Sequence, residues 1–265
     1  MASFRCEAVL LRAVEFGESD LIVHLLTPEA GRLTAIAKAA RRSHRRFPGT
    51  LDLFNHLEIH GRRRPRASMA FLERARLVDP FLGLRRDRAR YALASFVAEM
   101  LDRMAPEGLA PDDAARLFGF AVESLSQIAS VRPDRALRVV LELRALDALG
   151  LRPELGRCVR CGRVPAEGID EAHRVGFHVP DGGIVCSTCG LRLDGLVPVA
   201  VGTLRRLEAA LRGDPKDWLE IGLEAEALVQ AELLVFRFQR FHVGVELRSE
   251  RFLSESLSIA HPGAA

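Results

Sequence analysis

The chain has 265 residues, a hydrophobic fraction of 48%, a charged fraction of 28% and a formal net charge of +3. These values are typical of a globular protein with one or two domains. Of its 38 basic residues only Lys38 and Lys216 are lysines, and neither follows a glycine. A phosphate-binding P-loop needs a Gly-Lys-Ser/Thr step, so the P-loop ATPases are excluded.

Export and membrane insertion are also not expected. The first twenty residues contain six charged side chains, which leaves no apolar stretch typical of a signal peptide. Uncharged runs reach only about ten residues, about half of what a membrane-spanning helix needs. We therefore expect a cytoplasmic protein that has no membrane partner.

The first eighty residues are predicted to form five short strands. The strands are predicted at residues 4–11, 21–27, 32–38, 51–59 and 69–78. Residues 28–31, Pro-Glu-Ala-Gly, have the composition of a turn, and residues 51–59 place apolar side chains at every second position. Five strands in so short a segment predict a small closed barrel or a sandwich.

Positive charge is concentrated in this region. Residues 1–80 contain 14 basic and 9 acidic side chains, residues 81–265 contain 24 and 26, and residues 32–66 alone contain ten and two. An arginine-rich coding bias would not remove acidic residues from one window, so the charge indicates phosphate contacts. Solvated surface loops are the alternative interpretation. The basic side chains form two clusters, which are Lys38, Arg41, Arg42, Arg45 and Arg46, and then Arg62, Arg63, Arg64 and Arg66.

From residue 81 onward the apolar spacing becomes helical. Stripes at i, i+3, i+4 and i+7 predict helices around residues 93–104, 117–128, 137–146, 203–211 and 223–241. We expect a helical domain in two parts, at 81–155 and 199–253, followed by a flexible tail at 254–265. The barrel is assigned to residues 1–80.

Four of the five cysteines are arranged as two C-x2-C pairs separated by 24 residues. The pairs are Cys158 with Cys161 and Cys186 with Cys189. Two residues between thiols allow both to reach one ion, and four thiolates form a closed tetrahedral site for structural Zn²⁺. Strand-like segments around Gly182 and Gly183 complete a predicted zinc ribbon at 156–198. Disulfides and an iron–sulfur cluster are the alternatives. Cys6 is expected to be a buried small apolar residue.

No catalytic motif is found. The chain lacks G-x-G-x-x-G, G-x-S-x-G and H-E-x-x-H. His56-Leu57-Glu58 matches the H-x-E of zinc deaminases, but neither C-x2-C pair is preceded by the proline of that signature. The sequence therefore predicts a protein that is not an enzyme.

Several segments, taken together, resemble one family. These segments are residues 7–12, Glu-Ala-Val-Leu-Leu-Arg; residues 17–23, Gly-Glu-Ser-Asp-Leu-Ile-Val; residues 26–33, Leu-Thr-Pro-Glu-Ala-Gly-Arg-Leu; residues 37–42, Ala-Lys-Ala-Ala-Arg-Arg; and residues 146–155, which lead into the first cysteine pair. In this order, and completed by Phe177 and residues 182–189, they resemble the bacterial recombination mediators of the RecO family.

The resemblance implies an N-terminal OB-fold and a helical C-terminal region interrupted by the zinc ribbon, an α+β multidomain fold. It implies binding to single- and double-stranded DNA and annealing of complementary strands without ATP. It also implies partnership with RecR, contact with the acidic tail of single-strand binding protein, and help in loading RecA during gap and double-strand break repair, in the nucleoid. Lys38, Arg41 and Arg42 match the basic motif after the third strand, and Arg12 and Arg32 match basic positions in the barrel. The remaining basic residues are assigned from charge alone.

Two other functions remain open at this point. The chain could be an interaction scaffold whose ribbon and helices bind protein, or an RNA-binding OB-fold and zinc-ribbon protein. OB-folds usually stack bases on aromatic side chains. Phe47, between the basic clusters, is either such a residue or a buried one.

Overall fold

The computed structural model describes residues 2–164, 170–223 and 225–257. The chain divides into two compact units. The first contains residues up to 132 together with 247–256, and the second contains residues 133–246. Each unit is described below by itself.

The first unit begins with a closed five-stranded barrel. The strands are β1 (Ala2–Phe16), β2 (Asp20–Thr27), β3 (Gly31–Ala37), β4 (His56–Arg63) and β5 (Ala70–Asp79). They pair in the order β1-β2-β3-β5-β4, all antiparallel except β3 with β5. β1 is long enough to pair with β4 through its first half and with β2 through its second, and a bulge between Leu10 and Arg12 marks the change. The predicted OB-fold barrel is confirmed.

Alternation along the strands fills the barrel. Inward side chains such as Ala8, Leu10, Val23 and Leu25 are completely buried. The residues between them point to the outer surface of the barrel, because successive side chains of a strand face opposite sides. The pattern on which the barrel was predicted is therefore the pattern that forms its core.

The fourth strand begins later than predicted. Residues 51–55 form a turn in which Phe54 has a φ of 72° and is 1% exposed. The Asn55 amide donates to the Thr50 carbonyl oxygen at 2.9 Å, and the Asn55 carbonyl accepts from Leu10 N–H at 3.0 Å. This turn breaks the alternation, so β4 starts at His56 and continues to Arg63. Arg62 and Arg63 consequently lie on β4.

Three helices complete the first unit. α1 (Arg88–Met104) begins at Asp87, whose carboxylate accepts from Arg90 N–H. α2 (Pro111–Ser130) begins with proline and two aspartates in its first turn, a favourable arrangement at a helix N-terminus. α7 (Ser249–Ser256) packs against α1. The connection between α1 and α2 contacts the β2–β3 turn, since Gly108 N–H donates to the Ala30 carbonyl at 2.9 Å.

In the sequence of the second unit, helices come before and after the strands of a small sheet. α3 (Arg135–Ala148) precedes β6 (Arg174–His178), β7 (Gly183–Val185), α4 (Ser187–Gly190) and β8 (Val197–Ala200). α5 (Val201–Arg212) and α6 (Ala225–Val243) follow. The three strands pair in the order β7-β6-β8. Asp214 and Pro215 lead into a short 3-10 turn at 215–220 and not directly into α6.

The predicted tail requires a correction. α7 extends to Ser256 and Ser254 is 2% exposed, so residues 254–256 are helical and not a flexible tail. The apolar spacing of Phe252 and Leu253 was too short to predict this helix. Residues 258–265 lie outside the described residues. Within the described part of the chain, no helix has both the length and the apolar character needed to cross a membrane.

Candidate metal centre and nucleic-acid interface

The four paired cysteines come together in one cluster. The Sγ atoms of Cys158, Cys161, Cys186 and Cys189 all lie within 4.8 Å of one another, and Cys158 is buried. Cys158 and Cys161 precede β6, whereas Cys186 directly follows β7. Each pair forms a tight turn, because Gly162 N–H donates to the Cys158 carbonyl and Gly190 N–H donates to the Cys186 carbonyl, both at 2.8 Å. Gly162 has a φ of 73°, which favours glycine.

The thiol pKa values show how the cluster distributes charge. Burial raises the pKa of Cys158, but hydrogen bonds from the backbone N–H groups of Cys186, Cys161 and Arg160 outweigh it and lower the pKa to about 6. Hydrogen bonds with Cys186 and Cys161, together with burial, raise the pKa of Cys189 to about 12. Four thiolates so close together repel one another, and a cation between them removes that repulsion. The cluster could therefore hold a metal ion.

The first basic cluster lies beside the β1–β2 hairpin. Lys38 Nζ is 2.7 Å from an Asp20 carboxylate oxygen, Arg41 is 3.1 Å from Glu15, and Arg42 is 3.8 Å from Glu18. All three acids belong to the hairpin. Residues 40–42 form a 3-10 turn that is attached to the hairpin, since Arg41 N–H donates to the Ser19 carbonyl at 3.0 Å.

The two remaining arginines of the first cluster differ in their contacts. The Arg46 guanidinium donates to the Lys38 carbonyl at 2.7 Å. Arg45 is exposed and has no hydrogen-bond or ion-pair partner among the residues that the structure describes. Phe47 is 4% exposed and packs in the barrel core. Of the two interpretations of Phe47, the structure selects burial.

The second cluster also contains arginines that have a partner and arginines that have none among the described residues. Arg62 lies 2.5 Å from Glu73, and Arg63 lies 3.6 Å from Glu107 and donates to the Ala67 carbonyl. Arg64 and Arg66 are exposed and, within the described ranges, form no hydrogen bond or ion pair with their side chains.

Arg12 and Arg32 are held by one buried carboxylate. Asp102, on α1, is 4% exposed and lies 3.9 Å from Arg12 and 4.0 Å from Arg32. Its Oδ1 is also 2.5 Å from His24 Nδ1, and its carbonyl oxygen accepts from Arg32 at 3.1 Å. Arg32 is therefore a bridge between the barrel and α1, while Arg12 keeps a half-exposed side chain.

An apolar row runs across the outer side of the barrel between the two clusters, and Ile36 within this row is buried at 7% exposure. Strand register places Val14 opposite Ile22, Ile22 opposite Ile36, and Ile36 beside Phe71. Phe71 in turn faces Arg62 on β4. In the next row, Phe16 lies opposite Asp20, the partner of Lys38. Basic side chains thus flank a surface that carries apolar and aromatic groups.

Comparison with known proteins identifies the family. The family model "Recombination protein O N terminal" matches residues 1–81, and "Recombination protein O C terminal" matches residues 85–251. The chain belongs to the RecO family. It is 34% identical over 255 residues to "DNA repair protein RecO" of Anaeromyxobacter dehalogenans (strain 2CP-C), covering 96% of this chain and 97% of that protein. It is 32% identical over 257 residues to the protein of the same name from Myxococcus xanthus, covering 96% and 98%.

The basic positions that match the RecO motif do not form one uniform surface. Lys38, Arg41 and Arg42 lie together at the hairpin, whereas Arg12 and Arg32 converge on Asp102. Sequence reasoning missed Asp102, because an acid beside a helical apolar stripe gives no signal of its own. It also missed Phe16, which lies beyond the first predicted strand at residues 4–11 but is the last residue of β1. The signal that could have found Phe16 is the alternation of β1, which continues beyond Leu11.

Proposed function

We propose that this RecO-family protein is a DNA-binding recombination mediator that anneals complementary single strands without ATP. It binds single- and double-stranded DNA in the nucleoid and contacts the acidic tail of single-strand binding protein. With RecR, it helps to load RecA onto strands coated by that protein, in gap and double-strand break repair. The observation that carries the DNA-binding part is a group of exposed arginines whose side chains have no partner among the described residues. They are Arg45, Arg64 and Arg66, at the two clusters beside the outer barrel face. The names of the relatives support the repair role.

The charge distribution supports annealing without a nucleotide. Two DNA strands repel each other through their phosphates, and arginines that bind those phosphates release counterions and reduce the repulsion. Arg41 and Arg42 contribute as well, because exposed ion pairs such as theirs with Glu15 and Glu18 are worth only about 0–1 kcal/mol and a phosphate can replace the carboxylate.

We assign Zn²⁺ to the cysteine cluster, one ion per chain. The donor set consists of four thiols with no vacant ligand position, which favours a structural zinc site over a catalytic one. Cys158, Cys161, Cys186 and Cys189 would hold the ion and connect the β6–β7 hairpin to the segments on either side of it. Elemental analysis of the purified chain tests the assignment, since one zinc and no iron per chain is expected.

The DNA-binding proposal is tested by a charge-matched pair of variants. The test variant is R45A/R64A/R66A, and the control is R192A/R237A/R240A, which removes three exposed arginines of the second unit that also lack side-chain partners among the described residues. Each lost phosphate contact reduces the salt dependence of single-strand binding by about 0.7, so the test variant should lose about 2 from the slope of log K against log salt. Its nucleotide-free annealing rate should fall with it, and the control should keep both.

The opposite result would contradict the DNA-binding part of the proposal. If the test and control variants bind and anneal equally well, the barrel clusters are not the phosphate-binding surface. Zinc content measured in the same preparations shows whether either variant has lost the fold of the metal centre.

A further inference from the structure

We infer that the outer face of the barrel between the two basic clusters is a platform on which single-stranded DNA stacks its bases, and that Phe16 is its principal stacking side chain. This inference rests on the proposed DNA-binding function and adds to it a site for the bases. The basic clusters themselves can contact only the phosphates.

Phe16 has no evident role in folding. It is 50% exposed, the most exposed phenylalanine of the first unit among the described residues. It is the last residue of β1, directly before a turn in which Gly17 has a φ of 61°. Val14, Glu15 and Phe16 are all exposed, so the end of the hairpin extends beyond the barrel core. Within the described part of the chain, Phe16 also packs against no other ring.

The surroundings of Phe16 suit a nucleic acid strand, because basic side chains that can contact phosphates lie beside a ring that can stack on bases. Phe16 faces Asp20 across the hairpin, and Asp20 is bound to Lys38 at 2.7 Å. Arg41 is attached to the same turn through Ser19. A strand whose phosphates contact this cluster therefore has its bases within reach of the Phe16 ring, as in other OB-folds that combine a basic groove with aromatic side chains.

The platform extends far enough for more than one nucleotide. From Val14 to Phe71 there are three strand spacings, roughly 14 Å. Ile36, between them, is only 7% exposed, so the accessible apolar groups lie towards the two sides of the face. Phe71 is half-buried and faces Arg62, so it offers a second, less exposed ring beside the second cluster. Phe16 and Phe71 lie too far apart to share a base, and they mark the two sides of the face.

Stacking predicts a preference for single strands that phosphate contacts alone do not give. In a duplex the bases are already stacked and paired, so the Phe16 ring gains contact only with unpaired bases. Base–aromatic stacking is worth about 1–3 kcal/mol per base, which corresponds to roughly a 5- to 150-fold change in affinity. The salt dependence should not depend on Phe16, since the ring contacts no phosphate.

The test compares Phe16→Ala with the full-length wild-type chain on three probes of equal length. These are an oligo(dT) strand, the same strand with abasic sites in place of its bases, and a duplex. F16A should bind oligo(dT) roughly 5- to 150-fold more weakly, with an unchanged salt slope, and should bind the abasic strand and the duplex as the wild type does. Phe241→Ala, which removes an exposed ring of the second unit, is the matched control.

A second variant gives a direct signal. Trp218 is the single tryptophan of the chain and is 2% exposed, so Phe16→Trp introduces an exposed indole whose emission can be separated from it. F16W should retain the affinity for oligo(dT), and its fluorescence should be quenched by oligo(dT) but not by the abasic strand.

Failure of the stacking inference and failure of the proposed function give different results. If F16A binds oligo(dT) like the wild type while R45A/R64A/R66A loses binding, DNA binding stands and the stacking role is overturned. An equal loss by F16A on all three probes also overturns it, because the effect would then be on the hairpin and not on base contact. If the wild type binds none of the probes, the proposed function itself is wrong.

Discussion

Asp102 is the residue at which stability and DNA binding should change in opposite directions. Its buried carboxylate serves His24, Arg12 and Arg32 at once. Asp102→Asn removes the charge but preserves an oxygen that can accept a hydrogen bond. We expect the first unit to become less stable and Arg12, half-exposed already, to become available to a phosphate.

The size of the stability change follows from the contacts. Hydrogen bonds to charged groups are worth about 1.5–3 kcal/mol and neutral ones about 1, so the 2.5 Å contact with His24 should lose about 1 kcal/mol. The guanidiniums of Arg12 and Arg32, at 3.9 and 4.0 Å, add about 0.5 kcal/mol each because both are partly exposed. Arg32 also keeps its bond to the Asp102 carbonyl oxygen. The total is about 2 kcal/mol.

Two measurements check this prediction. Amide hydrogen exchange reports opening free energies residue by residue, so β2, β3 and α1 can be followed separately from the second unit. Single-strand binding should gain about one phosphate contact, which makes the salt slope steeper by about 0.7. Asp113→Asn, which breaks an exposed pair with Arg116 in the first turn of α2, is the control. It should lower stability by no more than about 1 kcal/mol and leave the salt slope unchanged. A D102N protein with unchanged exchange and an unchanged slope would refute the role given to Asp102.

Three further predictions concern the metal centre, α7 and the helix packing. Chelation of the metal should increase amide exchange at β6 and β7 and leave the barrel protected; equal loss in the barrel would contradict a local role for the site. Burial raises the pKa of Glu99, but hydrogen bonds from Ser249 and from Arg248 N–H outweigh it and hold the pKa below the ordinary 4.5. The contribution of Glu99 to the attachment of α7 should therefore be complete above pH 4.5 and be lost as the pH falls through the lowered pKa. Protection of α7 against exchange is the measure, and pH-independent protection would contradict the prediction. Gly83→Ala should destabilise the first unit by several kcal/mol, since its Cβ would lie 2.2 Å from the Ala129 carbonyl oxygen. Gly119→Ala on α2 meets nothing within 4 Å and should stabilise the unit by up to about 1 kcal/mol. Thermal melts of the two variants test this, and equal melting temperatures would contradict the packing argument.

The parts of the structure that sequence predicted are those determined by local spacing. Short strand-like segments separated by turns predicted the five strands, and alternation was found in residues 51–59, where Leu57 and Ile59 fill the barrel core. The C-x2-C pairs predicted the cysteine cluster, because two residues between thiols fix most of its geometry within each turn. In both cases neighbouring residues in the sequence contain the information.

What was missed depends on contacts between distant segments. Phe47 has the composition and position expected of a stacking residue, but it fills the barrel core and the exposed ring is Phe16. The start of β4 was predicted too early because the turn at Phe54 is stabilised by Leu10 on another strand. Asp102 became recognisable only when α1 was placed against the barrel.

The same distinction changes the meaning of the basic window. Residues 32–66 contain ten basic and two acidic side chains, yet much of this charge is balanced by acids outside the window. Glu15, Glu18 and Asp20 come from the β1–β2 hairpin, and Glu73 comes from β5. Counting charge along the chain therefore overestimates the number of free phosphate ligands.

A surface of this composition is suited to binding that is readily reversed. In the proposed function, Arg45 and Arg64, which have no side-chain partner among the described residues, attract a strand without breaking an existing contact. In the same proposal, Arg41 and Arg42 exchange their contact with Glu15 and Glu18 for a phosphate, and these acids pair with the arginines again when the phosphate leaves. Because exposed pairs of this kind contribute so little free energy, the exchange is nearly balanced in both directions. A mediator that brings two strands together and then releases the duplex needs this balance, and replacing Glu15 and Glu18 by glutamine should slow release of the annealed product while leaving strand capture as fast or faster.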